Sequence, residues 1–166
     1  MTKRPSSDGT RGRFDAFRLA RERGRLDGTV DPATLPRVAD TVLEGPAPIA
    51  WRIEGAQDAL GRPALVVALD GDVALECQRC LQAQSWPVHT RTLLVLARDD
   101  ADLARLDADS DDEVVLADTP LDPAQLVEDE LVLALPYAPR HAEGECAPPR
   151  DGASKKVITE GPARGR

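Results

Sequence analysis

Cys77 and Cys80 lie three positions apart in Cys77-Gln-Arg-Cys80, a spacing that allows both thiols to bind one metal ion. The same spacing occurs in small redox disulfides, so the pair alone leaves two chemistries open. Zinc fits thiolate and imidazole ligands best, and a closed structural site needs four ligands. The only other cysteine, Cys146, follows His141 by five residues. The sequence therefore offers one candidate ligand set for one structural zinc ion: Cys77, Cys80, His141 and Cys146.

Two other interpretations of the cysteine pair remain open. Cysteine is among the most buried residue types, so Cys77 and Cys80 can also be reduced structural thiols. A thioredoxin-type redox pair belongs at the N-terminus of a helix in a βαβ unit. Residues 73–97 instead have the alternating pattern of consecutive strands. This context, together with the second half-site at His141 and Cys146, favours a metal site over redox chemistry.

The elements that must position these ligands are mostly strands. Apolar residues recur at every second position in several segments, which predicts strands at 26–30, 49–54, 63–70, 73–77, 82–88, 90–97 and 113–117. Gly71-Asp72 is predicted to form a tight turn between two of them. Cys77 then ends a strand with its side chain facing the core. A turn at Gln78-Arg79 brings Cys80 back towards Cys77, as in a zinc knuckle.

Short helices complete the predicted fold, near residues 14–23, 32–43 and 123–135. Phe14, Phe17 and Arg21 recur at helical spacing in the first. Asp31-Pro32 and Asp122-Pro123 combine an N-cap residue with a proline at the first helical position, which begins the other two. These elements predict an α+β fold with about three short helices. Its antiparallel β-sheet of five to seven strands can curl into a partial barrel.

Charge is distributed unevenly along the 166 residues, whose formal net charge is −8. Residues 1–25 contain eight Lys/Arg and three Asp/Glu, a net of +5, and residues 150–166 contain five and two, a net of +3. The middle therefore carries −16. We predict disordered basic tails at 1–13 and 147–166 on either side of a single domain, 14–146, with an acidic solvated loop at 99–112.

Function classes can be excluded from the same sequence. It has no Rossmann glycine motif, Walker loop, H-E-x-x-H or G-x-S-x-G, so we expect a binding or assembly protein with no small-molecule substrate rather than an enzyme. No run of about 18 apolar residues exists, which argues against a membrane location. Three cysteines and no signal-like N-terminus agree with the reducing cytoplasm.

Three short segments follow one another along this chain. Cys77-Gln-Arg-Cys80-Leu81 is followed, after the acidic segment, by Leu126-Val-Glu-Asp-Glu-Leu131-Val-Leu-Ala-Leu135-Pro136 and then by Pro139-Arg-His141 with Cys146. In this combination the chain resembles the large ribosomal RNA subunit accumulation protein family, YceD, over roughly residues 14–146. The resemblance implies a non-enzymatic accessory role in bacterial ribosome biogenesis, in the synthesis, processing or stability of 23S rRNA. Extra cysteines in the C-terminal loop of some relatives are consistent with metal binding.

An acidic domain is poorly suited to binding RNA through a broad face. We therefore expect a ribosomal protein or a large-subunit precursor as the direct partner, with rRNA contacts from the basic tails. Two alternatives remain. One is a thiol–disulfide oxidoreductase that uses Cys77 and Cys80, and the other is a zinc-stabilised adaptor unrelated to ribosomes.

Overall fold

A computed structural model describes residues 12–43 and 47–146 of the chain. Six strands of this part form one sheet: β1 (Arg25–Val30), β2 (Val42–Leu43), β3 (Ile49–Gln57), β4 (Pro63–Glu76), β5 (Ala83–Ala97) and β6 (Glu113–Leu116). The helices are α1 (Ala16–Glu22), α2 (Asp100–Asp109) and α3 (Pro123–Ala134), with a 3-10 helix at Pro32–Thr34. The predicted α+β class is confirmed. The tails predicted to be disordered, 1–13 and 147–166, lie outside the described residues except for Gly12 and Arg13.

The sheet is mixed, whereas the sequence predicted an antiparallel one. Its strands run in the order β1-β3-β4-β5-β6, and β2 pairs with the second half of β4. All pairs are antiparallel except β5 and β6, which are parallel. A parallel pair needs a crossover connection, and α2 supplies it here. Among the described strands, β1 and β6 are the two edges of this sheet, which is not a closed barrel.

β4 is one strand of 14 residues, so the predicted tight turn at Gly71-Asp72 is wrong. Both residues stay in register with β5, opposite Val88 and Pro87. Gly71 has φ 156° and lies close to Ile49, and β4 exchanges its neighbour β3 for β2 just beyond it. The glycine therefore bends the strand without reversing it.

β5 is also a single strand, although two strands were predicted at 82–88 and 90–97. Pro87 prompted that division because it cannot donate a ladder hydrogen bond. Among the described strands, this part of β5 pairs with β4 alone, since β6 reaches only the last four residues of β5. At Pro87, β5 therefore has a paired strand on one side only, which is the kind of position where a sheet tolerates proline.

The predicted helix at 32–43 is wrong. Asp31 caps the first turn by accepting a hydrogen bond from the Ala33 backbone, as predicted. Pro36 then restricts the preceding residue, and Leu35 has extended backbone angles, φ −89° and ψ 118°. The helix stops after three residues, and turns lead to β2.

The segment 99–112, predicted to be a solvated loop, instead contains α2. Asp99 is the N-cap and accepts a hydrogen bond from the Asp102 backbone at 2.8 Å. Leu103 and Leu106 lie on one face and pack against Val95 under the end of the sheet. The acidic residues occupy the remaining, solvated face. Those in the first turn interact favourably with the positive end of the helix dipole.

The main core lies between the sheet and the helices α1 and α3. α1 approaches β3 closely at Gly55, where an added Cβ would come within 2.0 Å of the Leu19 carbonyl oxygen. α3 carries two buried carboxylates, each with a hydrogen-bond partner. Glu128 accepts from the Arg37 backbone at 2.6 Å, and Glu130 accepts from the Thr92 hydroxyl at 2.8 Å. These carboxylates anchor α3, as buried polar groups with partners do.

Candidate metal centre

Cys77 and Cys80 lie in a turn at the end of β4. Cys77 begins the turn immediately after Glu76, and its N–H donates to the Gln82 carbonyl at 2.9 Å. The Leu81 N–H closes the turn on the Cys77 carbonyl at 2.8 Å. Leu81 has φ 60°, a left-handed conformation that is uncommon for a non-glycine residue, and its side chain is exposed. The turn thus holds a strained backbone that brings Cys80 back towards Cys77.

The second half-site reaches this turn through the loop after α3. The Pro139 carbonyl accepts a hydrogen bond from the Gln78 backbone at 2.9 Å, which joins the loop to the turn. Two residues later, the His141 backbone N–H donates to Cys77 Sγ at 3.5 Å. Gly144, with φ 84°, lies in the turn that brings Cys146 back to His141. These hydrogen bonds hold the loop against the cysteine turn.

The four predicted ligands form one cluster, with one ligand atom of each within 4.8 Å of all the others. The Sγ atoms of Cys77 and Cys146 are 3.8 Å apart. His141 Nδ1 lies 3.4 Å from Cys80 Sγ and 3.9 Å from Cys146 Sγ. All three cysteines are free thiols in this arrangement.

These spacings fit a tetrahedral zinc ion. With Zn–S near 2.3 Å and Zn–N near 2.0–2.1 Å, tetrahedral angles separate two sulfur ligands by about 3.8 Å and a sulfur from a nitrogen by about 3.5 Å. Cys77 is buried, and the other three ligands are partly buried. Four protein ligands fill a tetrahedral shell, so the donor set is that of a closed structural site rather than a catalytic one.

Hydrogen bonds favour the ionised form of one thiol. Burial opposes ionisation of Cys77, but backbone N–H groups of Cys80, His141 and Arg79 outweigh it and lower the pKa of Cys77 from 9.0 to about 5. Cys146 differs, because burial and the sulfur atoms of Cys77 and Cys80 raise its pKa. A nearby cation favours the thiolate form of such a thiol, and a metal ion bound to this cluster would supply that charge.

The sequence identifies the four candidate ligand side chains but not the backbone hydrogen bonds that surround them. The backbone donors of Arg79, Cys80 and His141 could have been anticipated only in part, since a short cysteine turn directs its own N–H groups at the first sulfur. The Pro139–Gln78 hydrogen bond has no sequence signal. His89, the second histidine of the chain, lies elsewhere on the exposed sheet surface, with its Nδ1 2.9 Å from the Asp70 carboxylate.

The fold and the site define a class: a small α+β protein in which a Cys₃His cluster links the end of a central strand to the C-terminal loop. The family model described as "Large ribosomal RNA subunit accumulation protein YceD" matches residues 65–164, more than half of the chain. The chain belongs to this family, whose name refers to accumulation of the large ribosomal RNA subunit. We found no solved structure that matches the chain. Within 12–43 and 47–146, no helix is long and apolar enough to cross a membrane.

Proposed function

We propose that this protein is a non-enzymatic accessory factor of ribosome biogenesis that supports the synthesis, processing or stability of 23S rRNA. Membership of the YceD family is the observation that carries this proposal. The direct partner is a ribosomal protein or a large-subunit precursor, and the basic tails add rRNA contacts. An acidic body suits a basic ribosomal protein, because complementary charge accelerates and orients association.

We further propose that Cys77, Cys80, His141 and Cys146 hold one structural zinc ion. The spacing of the ligand atoms supports it, as does the closed donor set. When bound, the ion crosslinks β4 to the C-terminal loop, which otherwise depends on a few main-chain hydrogen bonds. The site then shapes the surface around residues 137–146 and makes residues 14–146 one folded unit.

The redox alternative has one observation in its favour, the lowered pKa of Cys77. A redox thiolate must also be accessible to its substrate, and Cys77 is fully buried. A structural metal ligand, in contrast, has no need to be accessible to a substrate. A disulfide-turnover assay distinguishes the two functions. An oxidoreductase cycles a disulfide with a small thiol substrate, and a zinc-bound cluster does not.

The proposed role is tested by the ratio of 23S to 16S rRNA in cells depleted of the protein. We expect the ratio to fall and to recover when the wild-type chain is supplied, and we expect the protein to sediment with large-subunit precursors. An unchanged ratio together with no co-sedimentation would contradict the proposal and favour an adaptor outside the ribosome.

The metal is tested separately, by mass spectrometry of untagged protein purified without chelator. One zinc per chain is expected in the wild type and none in Cys77→Ser or Cys146→Ser. A metal-free wild-type protein that turns over a disulfide substrate would instead support the oxidoreductase.

A further inference from the structure

A second concave site lies at the end of β4 opposite the cysteines. It is a cleft of about 450 Å³ between α1, the ends of β3 and β4, and the residue after β5. Phe17 and Arg21 line it from α1, Gln57 and Pro63 from the strand ends, and Arg98 from beyond β5. This volume is in the range of small-molecule sites.

The cleft is positively charged, although the domain is acidic. Arg21 and Arg98 are the charged residues of its lining, which contains no carboxylate. In the part of the chain that the structure describes, neither guanidinium group is in an ion pair. The Asp102 carboxylate lies nearby: it accepts a hydrogen bond from the Arg98 backbone at 3.0 Å and pairs with Arg105 at 2.5 Å. These hydrogen bonds and, in smaller part, the Arg98 charge lower the pKa of Asp102. It does not line the cleft. The cleft therefore attracts an anion.

The aromatic ring gives this charge a planar platform. The guanidinium carbon of Arg98 lies 5.6 Å from the centroid of the Phe17 ring, a cation–π contact. Arg98 is otherwise exposed, so one side of the guanidinium is supported and another is open to a ligand. Unpaired bases stack on arginine planes and aromatic rings in this way. The amide of Gln57 adds a hydrogen-bonding group that can contact the edge of a base.

The position of α1 keeps this arrangement rigid. Gly55 allows the helix backbone to approach β3, and its N–H donates to the Gly24 carbonyl at 2.8 Å. At the other end of the helix, Phe14 pairs with Leu121 through two backbone hydrogen bonds of 2.9 Å. Phe17 and Arg21 are thus presented from a helix that is fixed at both ends, and a preformed site costs less to occupy.

We propose that this cleft binds one nucleotide of single-stranded RNA, with its phosphate at Arg21 and its base stacked on Arg98, which Phe17 supports. The charge, the planar platform and the amide together fit a nucleotide better than a bare anion. The choice of RNA over single-stranded DNA rests on the proposed function. The site lies on the folded domain, so it adds to any phosphate contacts from the tails.

The test measures binding of the full-length protein to a fluorescein-labelled oligomer of ten uridylates by anisotropy, over a range of salt concentrations. In Arg21→Gln/Arg98→Gln we expect the dissociation constant to rise about 25-fold at 0.1 M salt, about fivefold from the lost phosphate contact of Arg21 and about fivefold from the lost stacking on Arg98. The salt slope should fall by about 0.7, as for one lost phosphate contact to a single strand. Phe17→Leu keeps both charges, so affinity should fall about fivefold with an unchanged slope.

The matched control is Arg52→Gln/Arg140→Gln, which removes two exposed charges outside the cleft that, like Arg21 and Arg98, have no ion pair among the described residues. Equal weakening in the two double variants would overturn the assignment, because the tails or general charge would then account for binding. Competition provides a second measurement. Inorganic polyphosphate that displaces the oligomer as well as unlabelled uridylate of equal charge would also overturn it, since a bare anion would suffice.

The same variants separate this inference from the proposed function. If Arg21→Gln/Arg98→Gln binds the oligomer like the control but still sediments with large-subunit precursors, the cleft assignment fails and the ribosomal role stands. If the wild type binds the oligomer through the cleft but does not sediment with precursors, the cleft assignment stands and the ribosomal role fails.

Discussion

The two ends of β4 carry sites with opposite requirements. The cysteine end, defined by Cys77, Cys80, His141 and Cys146, gathers buried and partly buried side chains that could hold a cation. The arginine end, defined by Phe17, Arg21 and Arg98, exposes cations and needs an anion. A strand of 14 residues separates them by up to about 45 Å. One long strand thus joins the two proposed sites, which share no residue, and we expect each to respond to its own ligand independently of the other.

The largest expected effect follows removal of zinc from the cysteine end. A strong chelator should lower the thermal midpoint by roughly 10 °C and speed hydrogen exchange in residues 137–146, because the loop loses its crosslink. Oligonucleotide affinity at the arginine end should change by less than about twofold, because the two sites share no contacts. Cys146→His is the control, since imidazole replaces thiolate in such sites and should retain the ion. A chelator-insensitive loop would contradict the prediction.

Gly55→Ala should damage only the arginine end. The added Cβ would meet the Leu19 backbone, which cannot move without displacing α1. We expect a loss of about 3 kcal/mol in the free energy of unfolding and weaker oligonucleotide binding, with one zinc retained. Gly24→Ala is the matched control, because its Cβ meets the flexible tip of the same leucine side chain and should cost less. Equal losses in the two variants would show that α1 adapts freely.

Asp58 gives the arginine end a pH dependence. It lies in the loop joining β3 to β4, and Arg62 donates to it from its backbone at 2.7 Å and from Nε at 2.5 Å. Burial opposes ionisation, but these hydrogen bonds prevail and lower the pKa of Asp58 below 3.8. Its stabilising effect is therefore present above pH 3.8 and lost as pH falls through the lowered value.

Asp58→Asn should accordingly reduce the free energy of unfolding by about 1.5 kcal/mol at pH 7, the loss of a charged hydrogen bond. Denaturant titrations at several pH values should show the difference from wild type vanishing in acid. A difference that persists unchanged well below pH 3.8 would show that packing rather than charge is lost.

The smallest expected effect is a gain rather than a loss in the free energy of unfolding, and it concerns Glu130, which lies between the two ends of β4. Burial raises the pKa of Glu130, so the wild type loses stability as pH rises from 4.5 through the raised value. Glu130→Gln keeps an acceptor for the Thr92 hydroxyl and removes this loss. It should be slightly more stable than wild type at pH 7, by less than about 1 kcal/mol, and equal to it in acid. Asp40→Asn, at an exposed carboxylate, is the control. In denaturant titrations its difference from wild type should not disappear in acid in this way.

The sequence predicts most of the cysteine end because its signals are local. The spacing of Cys77 and Cys80 identifies a turn, and Asp122-Pro123 begins α3 at the predicted residue, with Asp122 accepting from the Ala124 backbone at 2.9 Å. The remaining ligands then follow from the small number of His and Cys residues. Their closeness in space could not be derived, because the loop depends on Pro139, a residue without a local signal.

The arginine end was not predicted, for a physical reason. Phe17 and Arg98 are 81 positions apart, and their contact depends on how α1 crosses the sheet at Gly55. The errors elsewhere arose where two local signals conflicted. Pro36 ends the turn that Asp31 begins, and the many acidic residues of α2 obscured a helical pair of leucines.

The positions of the candidate metal ligands in the chain also bear on how the protein is synthesised. Its ligands come from residues 77–80 and 141–146, so the last of them is synthesised after every strand and helix of the described domain. Nascent chains emerge from their N-terminus, and domains fold as units. A chain that stops before Cys146 cannot complete the ligand set. Zinc occupancy would thus mark the chains whose domain has been translated in full and folded.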